Sequence, residues 1–510
     1  MKITTFAAIY IGSYEVSMKV FEIRPGRKIR LVDYVRSRLE LGLDAYSKGV
    51  IGYELVEDLC QVLKEFHSIM DGYKVDTYKA YAGNMLRTVS NGLFILDQIR
   101  IRTQIEVTVA SNSQLRFLSY ESLAASPEFE KMIGQGAVVV DVGGGSMQIT
   151  LFQKGTAVTT QRIELGIMRI WEKLSKIRNM VSHYETQIQE LIDKELEIFK
   201  RLYLEGKDIQ YVILMGDYIG EMVKGFSKKL DDGTIETERF LKLLNKWHKK
   251  SPKEIAIELN LVNENDPLIL PSVVLYKRLT EEMNADFVWV PGVSIGDGIV
   301  CDYAHKNHMI RFLHDLDKDV LAASKNLAER YQSYSGHTES VLSTSTVIFN
   351  AMKKVHGMSK RERLLLQVAA ILHDCGRYVS LTNQFVCSYQ IIMASEIIGL
   401  TDLEREIVAS TVKYNSLPRP PYESLRDKMD KDSYVIVSKL TAILKIANAM
   451  DRSHKQKFEN IRAALRGKEL IITIETKENT VLEKGLFSTY AESFEEVFSI
   501  MPKIKEKRIF

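Results

Sequence analysis

Cysteine is scarce in this chain. Its four, Cys60, Cys301, Cys375 and Cys387, lie far apart in 510 residues, and none stands in a C-x-x-C pair. Zinc ribbons and a disulfide framework are thereby excluded as organising devices, and reduced thiols in a cytoplasm are expected. An excess of one charge is also missing: 69 basic side chains against 66 acidic ones leave a formal charge of +3. No global field marks a nucleic-acid partner, and none is expected. Two local basic stretches, Lys242 to Lys253 (with Lys246, His248, Lys249 and Lys250) and Lys503 to Arg508, read as solvated helix faces or an exposed end. No apolar run approaches the roughly 18 residues of a membrane helix, and the first residues enter a strand pattern directly. Neither a membrane anchor nor export is expected.

Bulk and pattern are what the chain has. Hydrophobic residues make up 45% and charged residues 26%, the balance of a folded globular protein. The length exceeds one ordinary core, so about three or four domains are expected. Phe6 to Phe21 reads as strand, Gly-Ser turn, strand, and Ala137 to Phe152 repeats that layout with residues 10 and 141 in corresponding places. Helical spacing over Tyr53 to Met70 and Ser113 to Ala125, strands at Ile105 to Val109 and Tyr211 to Met215, and a glycine turn at Gly292 to Gly298 complete two similar α/β lobes facing each other. From about Leu313 to Asp451 the pattern is helical, notably over Glu362 to His373 and Val435 to Met450. Alternation returns in Glu469 to Glu475, before a helix over Tyr490 to Phe498, which suggests a small α+β cap.

The richest motif is Ala137-Val138-Val139-Val140-Asp141-Val142-Gly143-Gly144-Gly145-Ser146. Three glycines let backbone N–H groups approach an anion, Ser146 adds a hydroxyl, and Asp141 at the strand end can hold a metal or position water. A glycine-rich hairpin turn is the other reading, since Met147 to Phe152 alternates like an outgoing strand.

Four segments carry a resemblance. Ala82-Gly83-Asn84-Met85-Leu86-Arg87, Asp141 to Ser146, Leu165-Gly166-Ile167-Met168-Arg169 and Ala449-Met450-Asp451-Arg452-Ser453-His454-Lys455-Gln456 are similar, in this order, to the A-T-S-A-x-R, D-x-G-G-G-S, L-G-x-x-R and A-L-D-R-S-H-x-Q segments of the exopolyphosphatase and guanosine pentaphosphate phosphohydrolase (Ppx/GppA) family. The resemblance covers nearly the whole chain. It implies an α/β fold of two actin-like (ASKHA, ribonuclease H-like) lobes, 1–125 and 126–308, followed by an all-α HD-type domain, 309–456, and a small α+β domain, 457–510. It further implies a cytoplasmic homodimer, polyphosphate or guanosine penta/tetraphosphate as ligand, and Mg²⁺ in the cleft. Arg87, Gly12, Ser13, Gly143, Gly144, Gly145, Ser146 and Arg169 would grip phosphate, and Asp141 would serve the chemistry. Without the resemblance, Asp141 reads as a strand terminus, and Arg87 and Arg169 read as surface ion-pair partners.

The chemical residues depart from the family. Its first hairpin reads A-x-D-I-G-S-N, and this chain has Ala8-Ile9-Tyr10-Ile11-Gly12-Ser13-Tyr14. A phenol, neutral at pH 7, is a poor ligand for a hard cation. The water-orienting S-G-x-E-E-A segment is Ser111-Asn112-Ser113-Gln114-Leu115-Arg116, and the acid after the phosphate loop is Gln148. The later G-T-x-G-T loop falls at Leu214 to Tyr218, where Asp217 would repel phosphate. Hydrolysis in the cleft is expected to be weak or lost, with Gln114 and Gln148 as the substitutes that can still bond water.

In the helical part, His337, His373-Asp374 and Asp451 stand in the H…H-D…D order of metal-binding HD phosphohydrolases. By that resemblance they would surround one divalent metal. The segments where relatives carry further histidines are Gln384 to Ser388 and Val412 to Asn415, so a two-metal site is not expected. A buried His–Asp hydrogen-bond cluster is the alternative.

Overall fold

The computed structural model describes residues 3–24, 26, 29–175, 184–224, 233–259, 261 and 266–508. The chain divides into two compact units, Met1–Leu316 and Asp317–Phe510.

In the first unit, β1 (Thr4–Ile11), β2 (Glu15–Ile23), β3 (Arg30–Arg38), β4 (Thr77–Ala82) and β5 (Val107–Val109) form a sheet in the order β3-β2-β1-β4-β5. β6 (Ala137–Val142), β7 (Met147–Gln153), β8 (Thr156–Ile163), β9 (Tyr211–Gly216), β10 (Ile235–Glu236) and β11 (Phe287–Trp289) form a second, in the order β10-β11-β9-β6-β7-β8. Read from β8, the second sheet repeats the first and adds an antiparallel edge strand, β10. The repeat extends to single bonds. Tyr10 faces Ser17 across the first hairpin as Asp141 faces Gln148 across the second. Gly12 N–H donates to Glu15 O at 2.9 Å, as Gly143 N–H does to Ser146 O at 3.0 Å. Parallel neighbours repeat it too, β4 beside β1 and β9 beside β6. A central strand buried on both faces reads as a near-continuous apolar run, and all six residues of β6 are buried, with Asp141 the one charged residue among them.

The segment read as a glycine turn at 292–298 is different. Gly292 has the positive φ of a turn, +71°, but Ser294 and Asp297 then form a capping box that starts the helix Ile295–Lys306. A Cβ on Gly298 would overlap the Leu118 carbonyl, so this glycine serves the close approach of two helix backbones. Ile299, Val300 and Ala304 join Phe6, Ala8, Leu115 and Leu118 in one buried cluster. This helix, the last of the unit, therefore packs on the first sheet and on the helix Asn112–Ala124.

The second unit holds the helices Ser335–Ala351, Lys360–Leu372, Gln384–Ala394, Asp402–Tyr414 and Lys431–Ala449. They are followed by β12 (Glu459–Arg466), β13 (Glu469–Thr476), the helix Val481–Phe498 and β14 (Met501–Arg508) in a sheet ordered β12-β13-β14. The basic run 503–508, read as an exposed end, is β14 and pairs in parallel with β13. Its lysines reach across the ladder, Lys503 to Glu469 and Lys507 to Glu475. The other basic stretch is a solvated helix face whose Lys246 and Lys250 both pair with Glu258. All four cysteines are unpaired. Among the described residues no helix is long and apolar enough to cross a membrane.

Candidate functional site

The two glycine hairpins meet. A Cβ on Gly144 would overlap the Ser13 hydroxyl, and one on Gly145 would stand 2.7 Å from the Tyr46 hydroxyl. Bare backbone on the second loop is thus what lets the first loop and the helix Leu41–Lys48 come up to it. From behind, the helix Ile167–Ser175 presents its first amides: Ile167 N–H donates to Gly143 O at 3.2 Å, and Met168 N–H to Gly144 O at 2.9 Å. Gly166 lies against those carbonyls so closely that a Cβ would overlap both, which gives the L-G-x-x-R segment its glycine. Arg169, three residues on, lies with its guanidinium 5.2 Å from the Tyr46 ring centre. Its Nε is buried and has no hydrogen-bond partner among the described residues.

Asp141, brought to the loop by β6, already has a cation. Arg116 reaches from the first lobe, on the helix Asn112–Ala124, and its Nη1 lies 2.5 Å from Asp141 Oδ1. Its Nη2 donates to Ser146 O at 2.9 Å. The guanidinium therefore lies against the glycine loop, its Nη2 3.1 Å from where a Cβ on Gly143 would be. Gln114 and Leu115 stand in the places of the water-orienting acids, and sequence alone gives Arg116 no role. The side chain from this turn that reaches Asp141 is that of Arg116, while Gln114 sits two residues earlier, its backbone N–H donating to the N-cap Ser111 Oγ at 3.2 Å. Gln148, half-buried, is Asp141's cross-strand neighbour.

Around this pair the cleft is phenolic and acidic. The Tyr10 ring folds over its own turn, 2.9 Å from a Cβ position on Gly12, with its hydroxyl beside Gly83. Burial and the nearby Asp217 push its proton affinity up, so it stays a neutral phenol. Burial, then Glu15 and Asp141, push Asp217 up to about 7 against the pull of Arg116. Gly216 before it has φ +110° and no room for a Cβ beside Val142 O, which explains the one glycine kept in that loop. Arg87 is exposed and donates to Val109 O at 3.1 Å, so it holds the end of β5.

Asp141 has at most one oxygen left for Mg²⁺. One oxygen of Asp141 is taken by a guanidinium, and the place related to Asp141 by the internal repeat holds a phenol. The remaining oxygen, Oδ2, is buried and has no partner among the described residues.

Further ion pairs cross between the lobes. Arg38 Nη1 lies 2.8 Å from Asp266, a fully buried acid that also accepts from Tyr14 at 3.1 Å and Tyr218 at 2.6 Å. Arg36 pairs with Glu221 at 2.9 Å. Tyr14, in place of the family's asparagine, thus belongs to a latch.

In the second unit the four predicted residues come together with a fifth. His337 Nδ1 is 2.9 Å from Asp451 Oδ2, and Gln456 donates to both oxygens of that acid, from its amide N–H at 2.8 Å and its Nε2 at 3.0 Å. Asp451 therefore stands behind His337 and orients it. His337 Nε2 and His373 Nε2 are buried with no hydrogen-bond partner among the described residues, although His373 Nε2 lies 3.7 Å from Asp374 Oδ1. His337, Asp374 and His454 each offer one ligand atom, all within 4.8 Å of one another. His454 stacks on His337 with ring centres 3.6 Å apart. Burial and the neighbouring His337 push it down to about 4, leaving a neutral imidazole at pH 7. Burial would raise Asp374, but His373 and Arg377 outweigh it and keep the carboxylate charged. His454 belongs to the Asp451-Arg452-Ser453-His454 stretch, in which sequence alone gives it no role.

Comparison with known proteins agrees with this anatomy. The profile of the Ppx/GppA phosphatase family matches residues 19–307, and that of Ppx/GppA phosphatase domain III matches residues 321–489. A curated relative, the bifunctional 3-dehydroquinate synthase/phosphatase of Fusobacterium nucleatum, is 23% identical over 208 residues, 38% of this chain and 31% of that one. The chain thus spans under a third of that relative's length. Among solved structures, an exopolyphosphatase from Cytophaga hutchinsonii superposes with a TM-score of 0.51 at 16% identity, covering 60% of this chain and 98% of its own. A Ppx/GppA family member from Aquifex aeolicus gives 0.49 at 20% identity, covering 60% and 99%. The paired hairpins are those of the actin-like fold, and with the two profiles taking in most of its length the chain belongs to the Ppx/GppA phosphatase family.

Proposed function

We propose that the protein holds polyphosphate or guanosine penta/tetraphosphate in the cleft between its two actin-like lobes, with hydrolysis weak or lost. The observation that carries this reading is the Arg116–Asp141 pair. Phosphoryl transfer draws most of its rate from positioned phosphate, a divalent ion and an oriented water. The bare loop Gly143 to Ser146, with Ser13 and Gly12 opposite and the orphaned Arg169 Nε alongside, supports the first of these. Arg87 would extend the grip at the edge. The acid that would take up metal or water is neutralised, and Gln114 and Gln148 cannot accept a proton. Homodimer formation and a cytoplasmic location are part of this proposal, on the family resemblance alone.

A second reading has its own support: an HD-type phosphohydrolase in the helical unit. Asp374, His337 and His454 would hold one divalent ion, with Asp451 fixing the tautomer of His337. Such an ion would lower the pKa of bound water and clamp a phosphate. Phosphate release from long polyphosphate and guanosine pentaphosphate, with Mg²⁺ and separately Mn²⁺, tests both readings. Negligible release is expected; release abolished by Asp141→Ala would restore the cleft enzyme, and release abolished by Asp374→Ala would move the chemistry to the helices. Metal analysis of the purified protein is the companion measurement, and a wild type and His454→Ala variant equally free of metal would remove the second reading.

A further inference from the structure

We propose that the Arg116 guanidinium stands in for the divalent cation, so that the cleft takes its phosphate-chain ligand without metal. This rests on the phosphate-binding reading of the cleft and goes beyond it by naming the form in which the ligand binds.

The pair is placed where a cation would have to act. Arg116 crosses from a helix of the first lobe to the strand end and the glycine loop of the second, contacting Asp141 Oδ1 and Ser146 O at once. Its side chain is only 15% exposed and that of Asp141 only 12%, so the pair is little screened by water. A divalent ion brought beside Asp141 would find only Oδ2 open and a guanidinium already on Oδ1, and the repeat-related phenol of Tyr10 offers no compensating charge.

The same guanidinium suits a metal-free anion. It is planar, permanently charged and carries five N–H donors, of which the contacts to Asp141 and Ser146 take two. Phosphate oxygens are bound bidentately by such a fork. The buried Nε of Arg169, which has no hydrogen-bond partner among the described residues, is a second cationic donor, on the helix whose first amides hold that loop. Asp141 is thereby a positioning residue for Arg116. Without a Lewis acid no bound water is made nucleophilic, which separates binding from turnover.

Calorimetric titration of the wild-type protein with inorganic tripolyphosphate, in EDTA and again with excess Mg²⁺, tests this. The expected result is saturable binding in EDTA that Mg²⁺ does not strengthen. Binding only with Mg²⁺ overturns the inference and leaves the phosphate reading standing, whereas no binding in either buffer overturns that reading itself. In EDTA, Arg116→Ala is expected to weaken binding roughly tenfold to a hundredfold, the weight of a charge-assisted hydrogen-bonding group. A folded Arg116→Ala protein that binds as wild type would also overturn the inference; if that variant does not fold, the metal comparison on wild type decides alone.

Discussion

Asp141 and Arg116 depend on each other. Removing the guanidinium leaves a buried carboxylate without its counter-charge, and breaking such a pair typically costs about 3–5 kcal/mol. Urea unfolding of Arg116→Ala is expected to show a loss of that order, and Asp141→Asn with Arg116 kept should also destabilise. Asp217 gives a pH dependence. Its carboxyl, facing Glu15, Asp141 and Arg116, is pushed up to about 7. A carboxyl raised in the fold binds its proton more tightly there than in the unfolded chain, so folding stability falls as pH rises from the ordinary carboxylate range, about 4, through 7. Charging it also sets an anion against the ligand. Tripolyphosphate affinity is therefore expected to fall as pH rises through about 7 in wild type and to fall less in Asp217→Asn, a difference that separates Asp217 from the titration of the ligand itself. At this scale the sequence was partly legible. The loss of acids at positions 10, 114, 115 and 148 could be read by motif, because a motif states which residue type stands at each place. The use of Arg116 could not, since its reach to Asp141 depends on how two lobes far apart in sequence come together. His454 was hidden for a similar reason: the turn after the helix Lys431–Ala449, not spacing along the chain, brings its ring onto His337.

Among the elements, glycines separate into turn formers and contact points, and patterning along the chain distinguishes them poorly. Gly296 and Gly298 near Gly292 read as a turn because glycine clusters usually break helices. The tertiary contact with Leu118 reverses that, making Gly298 the one residue that lets the helix Ile295–Lys306 close on its neighbour. Gly298→Ala is expected to cost about 1–3 kcal/mol, the usual range for overpacking, visible as a lowered Tm. Gly166→Ala should do the same and in addition displace the phosphate loop, so that tripolyphosphate binding weakens with it. Strand β14 was hidden by its lysines. The odd-numbered ones at 503, 505 and 507 look like a solvated tail, yet alternation of this kind suits an edge strand, and paired acids on β13 accommodate it. The hairpins and buried strands were legible because period and burial there agree, as in β6.

On the scale of the molecule, the first unit keeps the architecture of a phosphotransfer cleft while its lobes are tied by Arg36–Glu221, Arg38–Asp266 and Arg116–Asp141. Each pair takes its cation from the first lobe and its acid from the second, so the lobes are held by the same groups that catalysis would need free at Asp141. The passage from the sheets of the first unit to the helices of the second was legible from the change in hydrophobic period near residue 313. The ties were not, because a surface arginine and a bridging one look alike in sequence. Phosphorus NMR of the wild-type protein mixed with tripolyphosphate tests the central claim most directly, since one spectrum reports both binding and cleavage. Broadened or shifted tripolyphosphate resonances with no orthophosphate signal growing over time, in Mg²⁺ or Mn²⁺, is the expected result. Orthophosphate accumulating in wild type and ceasing in Asp141→Ala would contradict it.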